Sequence, residues 1–538
     1  MELMEKTAMT SSEPSTLDLT QSNVDPQTPA FQPMLRELQA NILKGHGRRF
    51  AYHIFLRLDA AKTSQARKWI SDFARTRISS ALALEQGRQA FKATGADGGA
   101  VFTLSLSATG YSTLGFKSEQ FPKEIETPAN SIVKDSAVFA TGAKASAAKL
   151  GDGNVNVDWE EAFRGNVDVL IIVADSHSQK ALELSKTIEA EVSEFSTVLL
   201  NQKGQVLHRK VAVTETDRGS INIEHFGYAD GVSQPLFFKD EIEAQTSTAK
   251  WNDQESLNLV LVPDPNGRTN NSFGSFLVFR KLEQNVEAFM RAEESVLPSI
   301  KDSDGIVNKD LPGAMMVGRF RNGNPLVTSS GFTGNIHKQS QIANDFNYDN
   351  DSPPQPSETP AYSSKCPFFA HIRITNPRGD ITAVPSSFVH SVRLTRRGIP
   401  YQDHSRFGAS NEDLVTPTDE QLNSSRPATG AGLLFMSYQA HIGKQFEFIQ
   451  NNWANSGHIA GRNVGPDGVV GQQAPAPATG LPFKPTTPFL LNRKLPEQWG
   501  QDVKSSAPDI SFSGFVTNKG GEYFFTPSIS FLQSLSTS

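Results

Sequence analysis

The chain carries one cysteine, Cys366, in 538 residues, so no intrachain disulfide can form. A chain of this length needs no such staple, and the scarcity of thiols leans toward a reducing compartment. No apolar run approaches the ~20 residues that a membrane-crossing helix requires. The opening residues, MELMEKTAMTSSEPSTLDL, contain no apolar stretch of the kind a secretory signal carries. These absences point to a cytoplasmic protein without a membrane anchor, with an extracellular protein as the alternative if the chain is a mature form. There is no basic excess either. Lys and Arg number 51 against 57 Asp and Glu, a net charge of −6, which argues against a general nucleic-acid binder. No G-x-S-x-G elbow occurs, which argues against a Ser-His-Asp hydrolase. Tyrosine is sparse, 8 residues against 35 Phe, so phenylalanine carries the aromatic packing.

What is present is a globular composition, 37% hydrophobic and 20% charged, with length for two domains. Residues 1–33 are polar and read as a flexible leader. Residues 34–245 read as one domain and 246–538 as another. In the first, strand patterns fall at 50–58, 101–106 and 167–174, with a fourth at 210–214. Long helical patterns cover 61–84 and 178–194. Strand, helix, strand, strand, helix, strand is the ferredoxin-like order. The second half repeats it more loosely. It has strand candidates at 257–262, 273–282 and 432–438, helices at 285–294 and 442–452, and a closing segment at 512–528. The fold class that follows is α+β, two ferredoxin-like domains with antiparallel sheets. Residues 474–488 are Pro-rich and read as extended loop.

Four clusters have chemical potential. In CPFFAHIRITNPRGD, His371 precedes alternating Ile372 and Ile374, a strand pattern that Asn376-Pro377 and Arg378-Gly379 turn. Imidazole is the commonest side-chain ligand for transition metals, although a lone histidine is more often structural. Cys366 reads as a buried, inert thiol. In GYADG, Asp230 lies between Gly227 and Gly231, which allow close backbone approach and positive φ; a tight Asp-Gly turn explains the same residues. In VRLTRRGIPY, Arg396 and Arg397 face opposite sides of a strand, so at most one points inward. Asp345, Asp349 and Asp351 offer hard oxygen ligands suited to Mn²⁺, and read first as a solvated loop.

Taken together and in order, FGYADG, CPFFAHIRITNPR, RRGIPY, GLLFMSYQ and GGEYFF resemble the dye-decolourising peroxidases in their longer fungal form, over about residues 36–531. The resemblance implies one haem b per chain, bound in the C-terminal half facing the inter-domain region. It makes His371 the proximal iron ligand and Asp467, in GPDGVVGQ, the acceptor for the other imidazole nitrogen. Gly468 departs from the usual DPIIGQ pattern there. Asp230 is then the distal acid, Gly227 and Gly231 frame it, and Arg396 is the distal arginine, with Arg393 as the alternative. Leu433 and Phe435 would line the distal cavity, and Arg319 would lie near the haem propionates. Trp453 and Tyr401 would pass electrons from the surface. The implied activity reduces H₂O₂ and oxidises anthraquinone-type dyes, phenolics and other aromatic one-electron donors through a ferryl state. Its partners are H₂O₂ and aromatic reductants, with no nucleic acid and no membrane, in a monomer or homodimer. The chemistry agrees with the residue types: a carboxylate shuttles the peroxide proton, and a guanidinium nearby keeps it ionised and stays charged at any working pH. A haem-handling protein with little turnover is the alternative; it would keep His371 and need neither Asp230 nor Arg396.

Overall fold

Near-continuous apolar runs favour strands buried on both faces. The first, β1 (Phe50–Leu58), is such a run, with only Arg57 exposed. It is followed by α1 (Thr63–Thr76), β2 (Val101–Ser107), the fully buried β3 (Val169–Asp175), α2 (Ser178–Val192) and β4 (Ser196–Gln205). These strands pair antiparallel in the order β4-β1-β3-β2. The computed structural model describes residues 17–537 apart from 126–137, 211–219, 246, 329–343, 349–364, 380–384, 409, 411–412, 457, 460–461 and 473–492.

The second half follows the same plan. Its strands are β5 (Phe273–Gln284), β6 (Ile399–Gln402), β7 (Ala431–Gln439) and β8 (Val516–Thr526). Helix α3 (Val286–Ser295) follows β5, and a continuous helix with π-type turns, α5 (443–454), follows β7. Between α3 and β6 lies the short α4 (His371–Thr375). The strands pair in the order β8-β5-β7-β6, which repeats the order of the first half. The halves then join at both ends. Ser107 and Leu106 of β2 pair with Phe524 and Phe525 of β8, and Gly204 of β4 pairs with Tyr401 of β6. Eight strands thus close into one ring, in which the fourth strand of each half lies beside the second strand of the other. Glycine is required at the β4–β6 seam, because a Cβ on Gly204 would lie 2.6 Å from Cγ2 of Ile399.

The ferredoxin-like reading holds, and several of its boundaries change. The fourth strand is β4, not 210–214. Leu207–Lys210 instead pairs with Ser220–Ile223 as a separate hairpin, and 211–214 lies outside the described residues. The polar, half-buried Asn201-Gln202-Lys203-Gly204 run of β4 hides its strand character. The pattern at 61–84 is two helices, the second beginning at Ala81 after Ser80, whose hydroxyl accepts the Ala83 N–H. Residues 257–262 form a 3₁₀ turn and a two-residue strand, Val262–Pro263. The leader is not flexible from residue 17 onward: Val24 is fully buried, and its N–H donates to the Phe237 carbonyl at 2.8 Å. Among the described residues no helix is long and apolar enough to cross a membrane. A second apolar core, separate from the one packed on the ring, gathers Phe226, Phe289, Met315, Phe368, Phe388 and Phe512. The site lies against it.

Candidate active site

A cavity of about 290 Å³ opens between the 224–233 loop, β5, β7, α4, α5 and the Arg396 strand. Every residue singled out for the site lines it except Gly227, Asp467 and Tyr401. Asp467 and Gly227 stand directly behind the lining, and Tyr401 does not belong to it.

Glu224, which the sequence reading missed, shapes the loop that carries Asp230. Its carboxylate accepts the backbone N–H of Phe226 at 2.8 Å and of Tyr228 at 2.9 Å, and Gln284 of β5 also donates to it. Burial pushes the Glu224 carboxyl up, and these N–H donors pull it back. Gly227 turns the loop at φ +89, where a Cβ would lie 2.9 Å from Arg321 Nη1. The Asp230 N–H then donates to the Asn222 carbonyl at 2.9 Å, which brings the acid to the cavity edge.

The alternation predicted for the two arginines is present. Arg397 turns away and donates to the Asn41 and Ile42 carbonyls at 2.9 Å each. Arg396 faces the cavity and donates through Nη2 to the Val232 carbonyl at 2.8 Å. Arg393, the alternative, is held by Asp253 at 2.5 Å and Glu255 at 2.8 Å. Arg396 has no carboxylate within ion-pair distance among the described residues. It therefore does not pair directly with Asp230: the two flank one cavity and are tied through the Val232 backbone, two residues beyond the acid. Leu433 and Phe435, two apart on β7, both line the cavity.

On the opposite wall, His371 begins α4. The predicted strand is a helix here; the alternation of Ile372 and Ile374 spans too few residues to decide. Its Nδ1 lies 2.7 Å from Asp467 Oδ2. Asp467 is buried, and its Oδ1 accepts the N–H groups of Val469 at 2.7 Å and Val470 at 3.1 Å. Burial alone would raise this carboxyl. His371 and the two N–H donors outweigh it and hold Asp467 below the usual carboxylate range. The departure at Gly468 has a steric reason: a Cβ there would lie 2.7 Å from the Phe512 carbonyl oxygen and 2.8 Å from Arg493 Nη1. With Nδ1 engaged, Nε2 is the nitrogen left to bind a metal.

Two further guanidinium groups line the cavity. Arg319 donates to the Gly323 carbonyl at 2.7 Å and to Asn344 Oδ1 at 3.1 Å, and burial lowers it to about 10. Arg378, which the sequence places in a turn and not in the site, donates to the Phe346 carbonyl at 3.2 Å and to Ser233 Oγ at 2.7 Å, with its guanidinium 4.0 Å above the Phe346 ring. Burial and then the neighbouring Arg319 lower it to about 9. Arg378 has no ion-paired carboxylate among the described residues. The sequence offers no signal beyond an arginine seven residues after His371, because its burial depends on the distant Phe346.

These features fit a haem. An imidazole oriented by a buried acid offers one nitrogen. Leu433, Phe435, Val389 and Val392 supply apolar walls, and buried guanidinium groups suit propionate carboxylates.

The two aromatics expected to pass electrons from the surface are not there. Trp453 is 7% exposed, packed on Phe448 with ring centroids 5.0 Å apart, and it lines the cavity. Tyr401 is 1% exposed because β6 closes the ring of strands. The resemblance implied surface positions for both, but tertiary packing covers both rings. Asp345 accepts bonds from Ser247 and from the N–H groups of Lys250 and Trp251, so it anchors a loop; Asp349 and Asp351 lie outside the described residues. Cys366 is buried, as expected.

Comparison with known proteins agrees with this geometry. Residues 37–207 match the family model described as the DyP dimeric alpha+beta barrel domain. The chain is 35% identical to the multifunctional dye peroxidase DyP2 of an Amycolatopsis strain, over 93% of this chain and 96% of that one. It is 28% identical to Peroxidase 2 of Mycetinis scorodonius, over 80% of this chain and 75% of that one. The crystal structure of a DyP-type peroxidase from Anabaena sp. superposes with a TM-score of 0.76 at 32% identity, covering 96% of this chain and 99% of that one. The fold and site define a haem-peroxidase class of protein. The chain belongs to the DyP-type peroxidase family and is an H₂O₂-dependent oxidoreductase. Bacterial and fungal relatives both match, so the family assignment stands without the fungal label.

Proposed function

We propose that this chain binds one haem b, whose iron His371 would hold, and uses H₂O₂ to oxidise anthraquinone-type dyes, phenolics and other aromatic one-electron donors. The observation that carries the reading is the 2.7 Å pair of His371 and Asp467 facing Asp230 and Arg396 across one cavity. Bound there, the haem supplies the iron at which the peroxide O–O bond is cleaved.

The chain's own residues do the rest. Asp467 holds the His371 ring in one orientation and, by accepting its Nδ1 proton, makes Nε2 a stronger donor. Asp230 would move a proton from one peroxide oxygen to the other, which would leave as water. Arg396 supplies positive charge where negative charge develops. Arg319 and Arg378 hold the propionates, and Leu433 and Phe435 keep bulky molecules out of the reacting space. Asp230 and Arg396 serve no purpose in a haem carrier, which favours the enzyme over the haem-handling alternative. The single cysteine favours a reducing compartment.

Rapid mixing of the haem-loaded protein with H₂O₂ tests the proposal. The Soret band should shift, and Asp230→Asn should slow that shift by about 10²–10⁴. An undiminished rate in the variant would remove Asp230 from the mechanism.

A further inference from the structure

Trp453 and Tyr401 are buried, and so is Tyr523 at 1% exposure, so the question is which residue can give an electron to the haem and not which one meets a dye. Near neutral pH a phenol loses its proton as it is oxidised, so a redox-active tyrosine needs a base at its hydroxyl. Tyr401 lacks one: its hydroxyl has no partner among the described residues. The Lys281 ammonium also lies 4.7 Å from its ring centroid, which opposes removal of an electron. Tyr228 donates to Glu293 at 2.6 Å, yet the Arg321 guanidinium lies 4.7 Å from its ring and pairs with the same carboxylate. Protonating Glu293 would strip Arg321 of its counter-ion.

Tyr523 on β8 has a base, and among the described residues no cation lies over its ring. Its hydroxyl donates to Glu447 Oε1 at 2.8 Å, and Glu447 is fully buried on α5. The other oxygen of Glu447 lies 3.2 Å from Nζ of Lys149, whose side chain is 37% exposed. Protonating Glu447 weakens its pairing with Lys149, but that ammonium is more open to solvent than the Arg321 guanidinium, 37% against 22%. On its other side the Tyr523 ring lies 6.3 Å from that of Phe446, and Phe446 lies 6.0 Å from Phe435. Both phenylalanines line the cavity. The phenol thus stands one ring behind the cavity wall, with a base at its hydroxyl. Burial and then the Glu447 charge hold that hydroxyl protonated well above the usual tyrosine range.

We propose that Tyr523 gives one electron to the peroxide-oxidised haem while Glu447 takes its proton, a relay that rests on the peroxidase reading above. One electron leaves the ring; the O–H bond breaks and its proton bonds to Glu447 Oε1. A neutral phenoxyl radical and a neutral carboxylic acid remain. An electron from an aromatic reductant and return of the proton restore both, and H₂O₂ supplies the oxidising equivalents.

Freeze-quench EPR of the haem-loaded protein mixed with H₂O₂ tests the relay, with the Soret response recorded on the same samples. The wild type should show a tyrosyl signal whose splitting collapses when the tyrosines are ring-deuterated. Tyr523→Phe, which removes one hydroxyl, should lose that signal while the Soret band still responds. Glu447→Gln should lose it as well, because the amide accepts the hydrogen bond and not the proton. Tyr401→Phe and Tyr228→Phe should keep it. A tyrosyl signal that survives in Tyr523→Phe, or a responsive wild type with no such signal, overturns the relay alone. A wild type whose Soret band ignores H₂O₂ overturns the peroxidase reading together with it.

Discussion

His371 Nδ1 and Asp467 Oδ2 lie 2.7 Å apart although 96 positions separate them in the chain. The pair fixes which imidazole nitrogen faces the cavity, because the other one is spoken for. Asp467→Asn presents an amide N–H or a weaker acceptor to that proton. The reduction potential of the bound iron should rise, and haem affinity or activity should fall by about 10–100-fold. Potentiometric titration and haem-transfer assays check both; an unchanged potential would mean that Asp467 does not tune the ligand.

Arg396 and Arg393 should separate cleanly. Arg396→Leu removes the cavity-facing charge and should slow the peroxide step by about 10²–10³. The fold should tolerate this change, since no carboxylate loses its partner. Arg393→Leu takes the guanidinium from Asp253 and Glu255, both buried and left with Trp251 and His390 as partners, and should cost about 3 kcal/mol of stability. Stopped-flow rates and chemical denaturation of the two variants measure the two effects independently.

Trp453→Phe should lower turnover of a bulky anthraquinone dye and of a small phenol by the same factor. A ring at 7% exposure cannot meet a dye that stays outside the cavity. The measurement is the ratio of kcat/KM for the two substrates; selective loss on the dye would show that electrons leave through Trp453 after all.

Glu124 is pushed up to about 7 by burial, even though it accepts N–H groups of Ile442 and Val138 at 2.7 Å each. Unfolded, it titrates near 4.5. Between these values the folded state binds more protons than the unfolded one. Its contribution is therefore full below 4.5 and is lost as pH rises through 7, a change of up to about 3 kcal/mol. Glu124→Gln should flatten the fall in thermal midpoint across that window. Equal slopes in the two proteins would show that Glu124 is ionised in the fold.

What could be read from the sequence was whatever is written in contiguous residues. β1 and β3 announce themselves by unbroken apolar runs, and the opposite facing of Arg396 and Arg397 follows from strand geometry alone. Four of the five motifs supply residues of the cavity wall; GGEYFF supplies none. What could not be read depends on partners far along the chain. β4 has too polar a sequence to advertise a strand that its neighbours bury. Four residues of alternation cannot tell α4 from a strand. Glu224 and Arg378 look like ordinary surface charges until the loop and the Phe346 ring close over them. Trp453 and Tyr401 sit among polar neighbours that say nothing of the helix and seam above them.

The ring of strands makes the two halves poor candidates for separate modules. Cut apart, they would expose four raw strand edges, one on each of β2, β4, β6 and β8, the kind of surface that invites aggregation. Nor can the halves be exchanged freely between relatives. The seam admits no side chain at Gly204 because Ile399 fills that space from the other half. A chimera must inherit both residues together, so this doubled fold has to evolve as one piece.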